Sequence, residues 1–395
     1  MNRSVLISGA GIGGPTLAFW LARYGYAVTV VEQASQLRAS GSAVDFRGDQ
    51  LALLERMGIL DDLRACESHM GDLKIVDGTG KHVSTLPAML FSGELEIDRG
   101  DLAQILYHHT KDHTEYVFGD RITALTQHEH GVDVTFERSA PRTFGLVIGA
   151  DGLHSAVRRL AFGDEAQFKT DLGYYAASFS VPNTFGLDHS GWIYNEPNRY
   201  VNLSSGRDTR RAIATFVFGT EPVAYNRRDP QQQMRIVAEH YSGAGWMVPQ
   251  LLAAMGNATD LYFDSLSQIK LESWSRGRVA VLGDAAWSAG PGGNGTGHAM
   301  LGAYTLAGEL AAAGGDFQAG FARYEEIMRP IMDKSQKFAA GAGKFLVPPT
   351  DGKIRSRNRT YRILSSKLMT GVFTKMAKKN ADTGDLKDYS VSAAA

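Results

Sequence analysis

The chain has 395 residues, of which 41 are Lys or Arg and 42 are Asp or Glu, so its formal net charge is -1. A charge balance this even gives no sign of a nucleic acid or another polyanion as partner. The single cysteine, Cys66, excludes an internal disulfide framework and a cysteine metal cluster. No apolar run is long enough to span a membrane, so we expect a cytoplasmic protein without stable membrane insertion.

The first predicted element is a strand–helix–strand unit at the N-terminus. The apolar run Val5–Ser8 is typical of a buried parallel strand, and it leads directly into a glycine-rich turn. Apolar residues at helical spacing over Thr16–Tyr24 predict a helix, and Ala27–Val31 is a second apolar strand. The start MNRSVLISG is therefore interpreted as a strand and not as a signal peptide.

The turn inside this unit has the pattern G-x-G-x-x-G, with glycines at positions 9, 11 and 14. In a dinucleotide-binding fold, Gly9 permits the tight turn, Gly11 lets the backbone approach the pyrophosphate, and Gly14 lets the helix pack closely on the strand. The helix N-terminus offers unpaired N–H groups to the phosphates. Glu32 ends the second strand, where a carboxylate can accept hydrogen bonds from both ribose hydroxyls. The unit predicts a dinucleotide site.

After this unit, predicted helices and strands alternate along the chain, and a segment rich in β-strands then follows. Helices are predicted over Gln50–Met57 and Arg99–Lys111, and strands over Val132–Phe136 and Leu146–Ile148. From 173 to 218 the segments become rich in β-strands and aromatic residues, most of which we expect in the core: Tyr174, Phe179, Trp192, Tyr194, Tyr200, Phe216 and Phe218. A strand over Arg278–Leu282 and a helix over His298–Ala312 return to the first pattern.

This order predicts an α/β chain, α+β overall, in which a Rossmann-like dinucleotide-binding domain is interrupted by an antiparallel β-sheet substrate domain. We assign residues 1–170 and 270–340 to the first domain and residues 171–269 to the second. A minor segment of the substrate domain is expected near 70–98. Residues 341–395 are predicted to form a Gly/Pro-rich hinge, from Gly341 to Pro349, and a C-terminal helix.

Two acidic motifs follow predicted strands. VIGADGLHSAVRRL (147–160) places Asp151 and Gly152 at a strand's carboxyl end, where open α/β sheets bind ligands, although an ordinary Asp-Gly turn fits as well. RVAVLGDAAWSAGPGGNGTGHA (278–299) places Asp284 between another strand and a second glycine-rich turn. A carboxylate there can accept from a ribose or ribityl hydroxyl. In DRGDLAQIL (98–106), Arg99 begins a helix near the expected nucleotide.

This ordered set of motifs resembles the single-component flavin-dependent aromatic hydroxylases. They form the para-hydroxybenzoate hydroxylase family, which includes tetracycline-inactivating and polyketide-tailoring monooxygenases. The resemblance covers residues 1–340. This sequence departs from the common family pattern at two places. Its glycine loop PGGNGTGHA is shorter, and Trp287 stands where the family often has His or Tyr. The resemblance implies that the dinucleotide is FAD and that the first domain is an FAD-binding domain.

The resemblance also assigns roles to single residues. It implies that the FAD-binding residues are Gly9, Gly11, Gly14, Glu32, Arg38, Arg99 and Asp284. Asp151 and Gly152 match a motif that the family uses for both FAD and NAD(P)H. The strand SGSAVDFRG (40–48) would bring Asp45 and Arg47 near the flavin ring, and the loop with Gly293, Asn294 and Gly295 would lie against it. Arg47 and His298, beside that loop, are the candidate catalytic residues, and no metal is expected.

By the same resemblance, the protein would be an FAD-dependent monooxygenase that consumes NAD(P)H, with NADPH favoured. It would insert one oxygen atom of O2 into an aromatic or polyketide-like small molecule through a flavin hydroperoxide. Two alternatives remain open: an FAD-dependent dehydrogenase or reductase without oxygen insertion, and a non-catalytic flavin- or antibiotic-binding protein. No nucleic-acid partner is expected, and the protein should be a monomer or a homodimer.

The C-terminal segment 353–379 has nine basic residues and no acidic one. Its apolar residues recur at helical spacing: Tyr361, Leu364, Leu368, Val372 and Met376. We expect this stripe to dock on the body of the protein, and a helix on a membrane surface is the alternative.

Overall fold

The computed structural model describes residues 3–37, 43–88, 91–292, 294–364 and 386–389. In chain order, the strands are β1 (Ser4–Ser8), β2 (Ala27–Glu32), β3 (Ala43–Phe46), β4 (Leu73–Val76), β5 (His82–Leu86), β6 (Leu95–Asp98), β7 (Thr114–Phe118), β8 (Ile122–His128), β9 (Gly131–Phe136), β10 (Arg142–Phe144), β11 (Leu146–Gly149), β12 (Lys169–Pro182), β13 (Ser190–Glu196), β14 (Arg199–Ser205), β15 (Arg211–Gly219), β16 (Tyr262–Ile269), β17 (Ser275–Arg276) and β18 (Val279–Val281). The helices are α1 (Gly13–Arg23), α2 (Asp49–Met57), α3 (Leu60–Arg64), α4 (Arg99–His108), α5 (Ala156–Ala161), α6 (Pro230–His240), α7 (Val248–Met255), α8 (Asp284–Trp287), α9 (Gly295–Ala312), α10 (Phe317–Leu346) and α11 (Asp351–Leu364).

A six-stranded sheet in the order β17-β18-β11-β1-β2-β7 forms one layer of the fold. Every pair from β18 to β7 is parallel, and only the two-residue β17 is antiparallel. The central strands β1 and β11 are almost entirely buried, as their continuous apolar runs predict for a parallel sheet covered on both faces. Helix α1 follows β1 and packs against α9. This is the predicted Rossmann-like arrangement.

A second, seven-stranded sheet has the order β16-β12-β15-β14-β13-β4-β5. Its neighbours are antiparallel except β13 and β4. Most of its strands lie between β11 and β18 of the first sheet, so it interrupts the Rossmann-like unit in sequence. The predicted fold class is therefore confirmed. The exact domain boundaries remain predictions, although β4 and β5, from within residues 70–98, do join this sheet.

The two faces of the seven-stranded sheet differ in chemistry because successive side chains of a strand point to opposite faces. Phe179, Phe216 and Phe218 are at most 2% exposed and pack with residues of α6 and α7 in one apolar core. The opposite face, which we call the polar face, has Ser178 and Thr215 at its centre, both half-buried. Most of the aromatic residues of this region are thus core residues, as predicted.

Helix α10 occupies most of the segment in which the sequence predicted a hinge. It continues to Leu346 and includes Gly341 and Gly343, where a hinge was expected to begin. A Cβ at position 343 would lie 2.4 Å from the ring of Tyr174. Close packing of α10 on β12 therefore accounts for this glycine, and the chain leaves the helical path only at residues 347–350.

Helix α11 docks on the seven-stranded sheet, at β5 and β13. Its Tyr361 is 8% exposed and packs in a small apolar cluster with residues of β4 and β13. For this part of the predicted stripe, docking on the body is confirmed. Later positions lie outside the described residues: Leu368, Val372 and Met376. Among the helices described, none combines the length and apolar character needed to cross a bilayer.

The last described residues, 386–389, pack on α9. The ring of Tyr389 lies where a Cβ at Gly308 would be, 2.3 Å from the nearest ring carbon. Its hydroxyl donates to Glu309 Oε1 at 2.7 Å, and the Lys387 ammonium donates to the same oxygen at 2.6 Å. Glu309 is only 4% exposed. The C-terminal segment therefore supplies the donors for a buried carboxylate.

Candidate cofactor and active site

The first glycine loop is held in a shape that only glycine permits at two positions. Gly9 has φ +107°, and a Cβ there would lie 2.5 Å from the carbonyl oxygen of Ala150. A Cβ at Gly14 would lie 1.9 Å from the Gly9 oxygen. By contrast, a Cβ at Gly11 would meet nothing within 4 Å. The loop packs tightly against β11 and α1 and has open space beside Gly11, as a cradle for a pyrophosphate requires.

Glu32 lies at the carboxyl end of β2, next to this loop. Its Oε2 accepts a hydrogen bond from the Ala10 N–H at 2.8 Å, and its Oε1 accepts one from the Ala34 N–H at 2.9 Å. The two bonds fix the carboxylate in one orientation, and each oxygen keeps a lone pair for a further donor. Glu32 is thus preorganised to accept hydrogen bonds from ribose hydroxyls.

Asp151 also lies at this edge of the sheet, and its carboxylate accepts hydrogen bonds from the residues that begin α5. It accepts hydrogen bonds from the Ala156 N–H at 2.8 Å and from the Ser155 hydroxyl at 2.5 Å, and so stabilises the N-terminus of α5. Burial raises the pKa of Asp151, and these hydrogen bonds oppose the rise. Gly152 has φ +80° with open space around its Cα. Asp151 therefore shapes the turn, Gly152 leaves room for a ligand, and the contact of this pair with FAD and NAD(P)H stays a prediction.

Asp284 and Arg99 approach the same region from two further elements. Asp284 follows β18, and its Oδ1 lies 3.7 Å from where a Cβ at Gly295 would be, at the start of α9. Burial raises the pKa of Asp284, and the positive charge of Arg99 opposes the rise. Arg99 is exposed at the start of α4 and has no ion-pair partner within the described residues. Its guanidinium can therefore meet an anionic ligand.

The segment from β3 to α2 carries the candidate catalytic arginine. Arg47 Nε donates to Asp45 Oδ2 at 2.9 Å, and the Arg47 N–H donates to Gln50 Oε1 at 3.3 Å. The ion pair with Asp45 reduces the net charge that Arg47 presents. Its side chain is 19% exposed, so part of it remains accessible to a ligand.

The second glycine loop leads into α9. Asn294 adopts a left-handed conformation with φ +54° at the position just before the helix, and Gly295 is the first residue of α9. His298 lies in the first turn and is 8% exposed, so it is largely enclosed by protein. Arg38 and Gly293 lie outside the described residues. Among the described residues, no cluster of His, Cys, Asp and Glu could hold a metal ion.

A charged network beside the Asp151 turn was not identified from the sequence. His154 Nδ1 lies 2.9 Å from Glu165, and His154 Nε2 lies 2.9 Å from Asp264 of β16. Tyr225 donates to Asp264 at 2.5 Å, and Arg158 donates to Glu165 at 2.9 Å. The network ties the six-stranded sheet region to the seven-stranded sheet. Only the motif DGLHS was visible beforehand, and it gave no sign of two distant carboxylates.

The tertiary structure thus gathers most of the predicted residues at one edge of the six-stranded sheet. The carboxyl ends of β1, β2, β11 and β18 are neighbours, and they carry the first glycine loop, Glu32, Gly152 and Asp284. Parallel sheets bind dinucleotides at this edge. The cradle at Gly9 and Gly14, the oriented carboxylate and the accessible arginine fit an FAD molecule.

Comparison with known proteins agrees with this geometry. Residues 2–339 match the family model described as FAD binding domain. An uncharacterized protein of Mycobacterium tuberculosis is 42% identical over 342 residues, which cover 85% of this chain and 92% of that protein. A flavin-dependent monooxygenase of Legionella longbeachae is 33% identical over 370 residues, covering 92% and 95%.

Solved structures resemble the whole chain. The crystal structure of the tetracycline destructase Tet(51) superposes with a TM-score of 0.84 at 32% identity, over 98% of this chain and 99% of that one. The glycine cradle, the sheet topology and these similarities lead to one conclusion: this chain belongs to the FAD binding domain family and is a flavin-dependent monooxygenase.

Proposed function

We propose that FAD lies along the carboxyl edge of the six-stranded sheet. Its ADP part would lie on the first glycine loop, with the ribose hydroxyls on Glu32. Asp284 would accept from a ribityl hydroxyl, and Arg99 would meet the pyrophosphate. The ring would lie between the loop around Asn294 and the segment that carries Arg47. The observation that carries this proposal is the pair of hydrogen bonds that orients Glu32 next to the open Gly11.

We further propose that the protein uses NADPH and O2 to add one oxygen atom to an aromatic or polyketide-like molecule. Bound FAD would supply the redox chemistry, taking electrons from NADPH and activating O2. The chain's own task is to hold the substrate between the cofactor and the polar face of the seven-stranded sheet, and to keep water away from the reacting atoms. Similarity to the tetracycline destructase Tet(51) supports a multi-ring substrate.

The direct test is coupled measurement of NADPH oxidation and oxygen uptake by the FAD-loaded protein, with phenols and tetracyclines as candidate substrates. We expect one of them to stimulate both rates and to gain one oxygen atom by mass spectrometry. Stimulated NADPH oxidation without oxygen uptake or product oxygenation would favour the alternative of a dehydrogenase or reductase. FAD binding with no stimulated turnover at all would favour a non-catalytic binding protein.

Variants of Arg99 and Arg47 test the two ends of the proposed site separately. Arg99→Ala should weaken FAD binding about tenfold or more, since it removes a charge-assisted contact to phosphate. Arg47→Ala should retain FAD but reduce substrate-stimulated NADPH oxidation, because Arg47 is placed near the ring. Arg64→Ala is a matched control, since its ion pair with Asp61 is 3.6 Å long and solvent-exposed. A normal dissociation constant for FAD in Arg99→Ala would contradict the placement.

A further inference from the structure

The C-terminal residues 386–389 lie in a slot between α1, α2 and α9, which we call the tail slot. The ring of Tyr389 packs on α9 at Gly308, and its hydroxyl donates to Glu309, which is only 4% exposed. From α1, the Tyr24 hydroxyl donates to the backbone oxygen of Tyr389 at 3.3 Å. The slot is therefore shaped for this tyrosine, since a side chain at position 308 would occupy the place of the ring.

Helix α2 reaches the tail slot through one arginine. The guanidinium of Arg56 donates to the Tyr304 hydroxyl of α9 at 2.8 Å. It also donates to the backbone oxygens of Lys387 and Leu386, at 3.2 Å and 3.3 Å. The Tyr304 hydroxyl in turn donates to the Lys387 oxygen at 2.7 Å. The tail therefore joins α2 to α9, because both helices donate to the same backbone oxygen.

The other end of this helix pair lies at the proposed flavin site. A Cβ at Gly297, in the first turn of α9, would overlap the side-chain amide of Gln50, in the first turn of α2. The oxygen of that amide accepts a hydrogen bond from the Arg47 N–H at 3.3 Å. Gln50 and Arg56 are about 9 Å apart along α2, and Gly297 and Tyr304 are about 10 Å apart along α9. The two helices therefore run side by side from the tail slot to the candidate catalytic arginine.

All three helices of the tail slot begin at loops that we assign to FAD. Helix α1 begins within the first glycine loop, α2 begins two residues after Arg47, and α9 begins directly after Asn294. Rigid helices and hydrogen-bonded side chains can carry an effect from one end of such an arrangement to the other. The contacts of the tail are therefore placed to influence the cofactor site.

We propose that the docked tail holds α2 against α9, and that Tyr389 is thereby a positioning residue for FAD. This inference rests on the proposed function, which places the flavin ring between the loop around Asn294 and the segment that carries Arg47. FAD and the tail then bind the same arrangement of helices, so each strengthens the binding of the other by an equal factor. Loss of the tail contact lets α2 move away from α9 and weakens FAD binding, although the tail lies at the far end of both helices.

The test measures the dissociation constant for FAD of the full-length chain, in a titration followed by flavin fluorescence. The temperature is one at which circular dichroism shows every variant to be folded. Tyr389→Ala empties the space at Gly308 and removes the hydroxyl that donates to Glu309. We expect its dissociation constant for FAD to rise about fivefold or more.

Gly308→Ala is a second variant, which acts on the same contact without removing any tail residue. Its Cβ would overlap the ring of Tyr389, whereas alanine itself favours the helical conformation of α9. We expect its dissociation constant for FAD to rise about fivefold or more as well. A loss of affinity in this variant comes from the displaced tail and not from a weakened helix.

Tyr361→Ala is the matched control, because Tyr361 and Tyr389 are both 8% exposed but Tyr361 packs on the seven-stranded sheet. It should lower the melting temperature and leave the dissociation constant for FAD unchanged. Unchanged FAD affinity in either Tyr389→Ala or Gly308→Ala overturns the inference. An equal loss of affinity in Tyr361→Ala overturns it too, since the effect would then be one of general destabilisation.

Failure of the proposed function would look different. Normal FAD affinity in Arg99→Ala refutes the placement of the cofactor, and the inference falls with it. If Arg99→Ala loses affinity while Tyr389→Ala and Gly308→Ala keep it, the placement of FAD stands and only the role of the tail is refuted.

Discussion

Replacing His154 by Ala should lower the free energy of unfolding by about 2–3 kcal/mol. The imidazole bridges two carboxylates, with 2.9 Å to Glu165 and 2.9 Å to Asp264, and its side chain is 20% exposed. Loss of one partner from a buried ion pair costs roughly 3–5 kcal/mol. Here Tyr225 still donates to Asp264 and Arg158 still donates to Glu165, so both carboxylates keep a donor. The remaining donors reduce the expected cost.

The contribution of His154 should depend on pH. Burial alone would lower the pKa of His154, but the hydrogen bonds to Asp264 and Glu165 hold it above its ordinary value. A raised pKa means that the stabilisation is fully present below the ordinary value of about 6.5 and is lost as the pH rises through the raised value.

The two carboxylates behave in the opposite sense. Burial would raise the pKa of Asp264 and of Glu165, but the hydrogen bonds and positive charge of His154, with further donors around each carboxylate, outweigh it and hold both pKa values below the ordinary range. Their stabilisation is present above a pH of about 4.5 and is lost as the pH falls through the lowered values. Wild type and variant should therefore differ most between about pH 5 and 6.5.

The assay is urea-induced unfolding of FAD-saturated protein, followed by tryptophan fluorescence at pH 6 and pH 9.5. His109→Ala is the matched control, because His109 pairs with Asp62 at the surface, with 33% and 55% of the side chains exposed. A surface pair of this kind contributes about 1 kcal/mol or less. If His154→Ala costs no more than His109→Ala at pH 6, or if its cost grows from pH 6 to pH 9.5, the reasoning is refuted.

Three further changes test other parts of the fold. Gly14→Ala should abolish FAD binding and lower the melting temperature, since its Cβ would collide with backbone at 1.9 Å, whereas Gly11→Ala should fold normally. Glu32→Gln should weaken FAD binding about tenfold in a titration followed by flavin fluorescence. The amide has only one acceptor oxygen, so its NH2 group would face the N–H of Ala10 or of Ala34. Deleting residues 386–395 should lower the melting temperature, since it removes two donors from the buried Glu309. Adding Glu309→Gln should recover part of that loss, and a deletion without effect would contradict the role of the tail.

The sequence alone was sufficient for the start of the chain and for the general fold. The unit of β1, α1 and β2 is specified within about 30 residues by hydrophobic periodicity and glycine spacing, and these are local properties. Glu32 and Gly14 were correctly expected to lie at one loop because their places follow directly from that unit. The change to an aromatic-rich segment likewise indicated the inserted sheet, because half-buried strands favour such residues.

Local pattern was insufficient where packing decides between alternatives. The glycines at 341 and 343 suggested a hinge, yet α10 continues through them, since a missing Cβ lets the helix approach Tyr174. Asp151 suggested a ligand contact, and only the structure shows that its carboxylate also stabilises α5; its contact with FAD or NAD(P)H stays a prediction. A glycine in sequence fits both a hinge and a close helix contact, and at position 343 the tertiary contact selects the second.

Only the tertiary structure revealed the charged network and the polar face of the seven-stranded sheet. His154 and Asp264 are 110 residues apart, and no periodicity links them. Ser178, Thr215 and Asn202 come from three strands, and they share a face only because of the register in which those strands pair. A shift of one residue would turn each side chain to the apolar core. The local sequence therefore determines the cofactor loop, whereas long-range strand pairing determines which side chains share a face of the seven-stranded sheet.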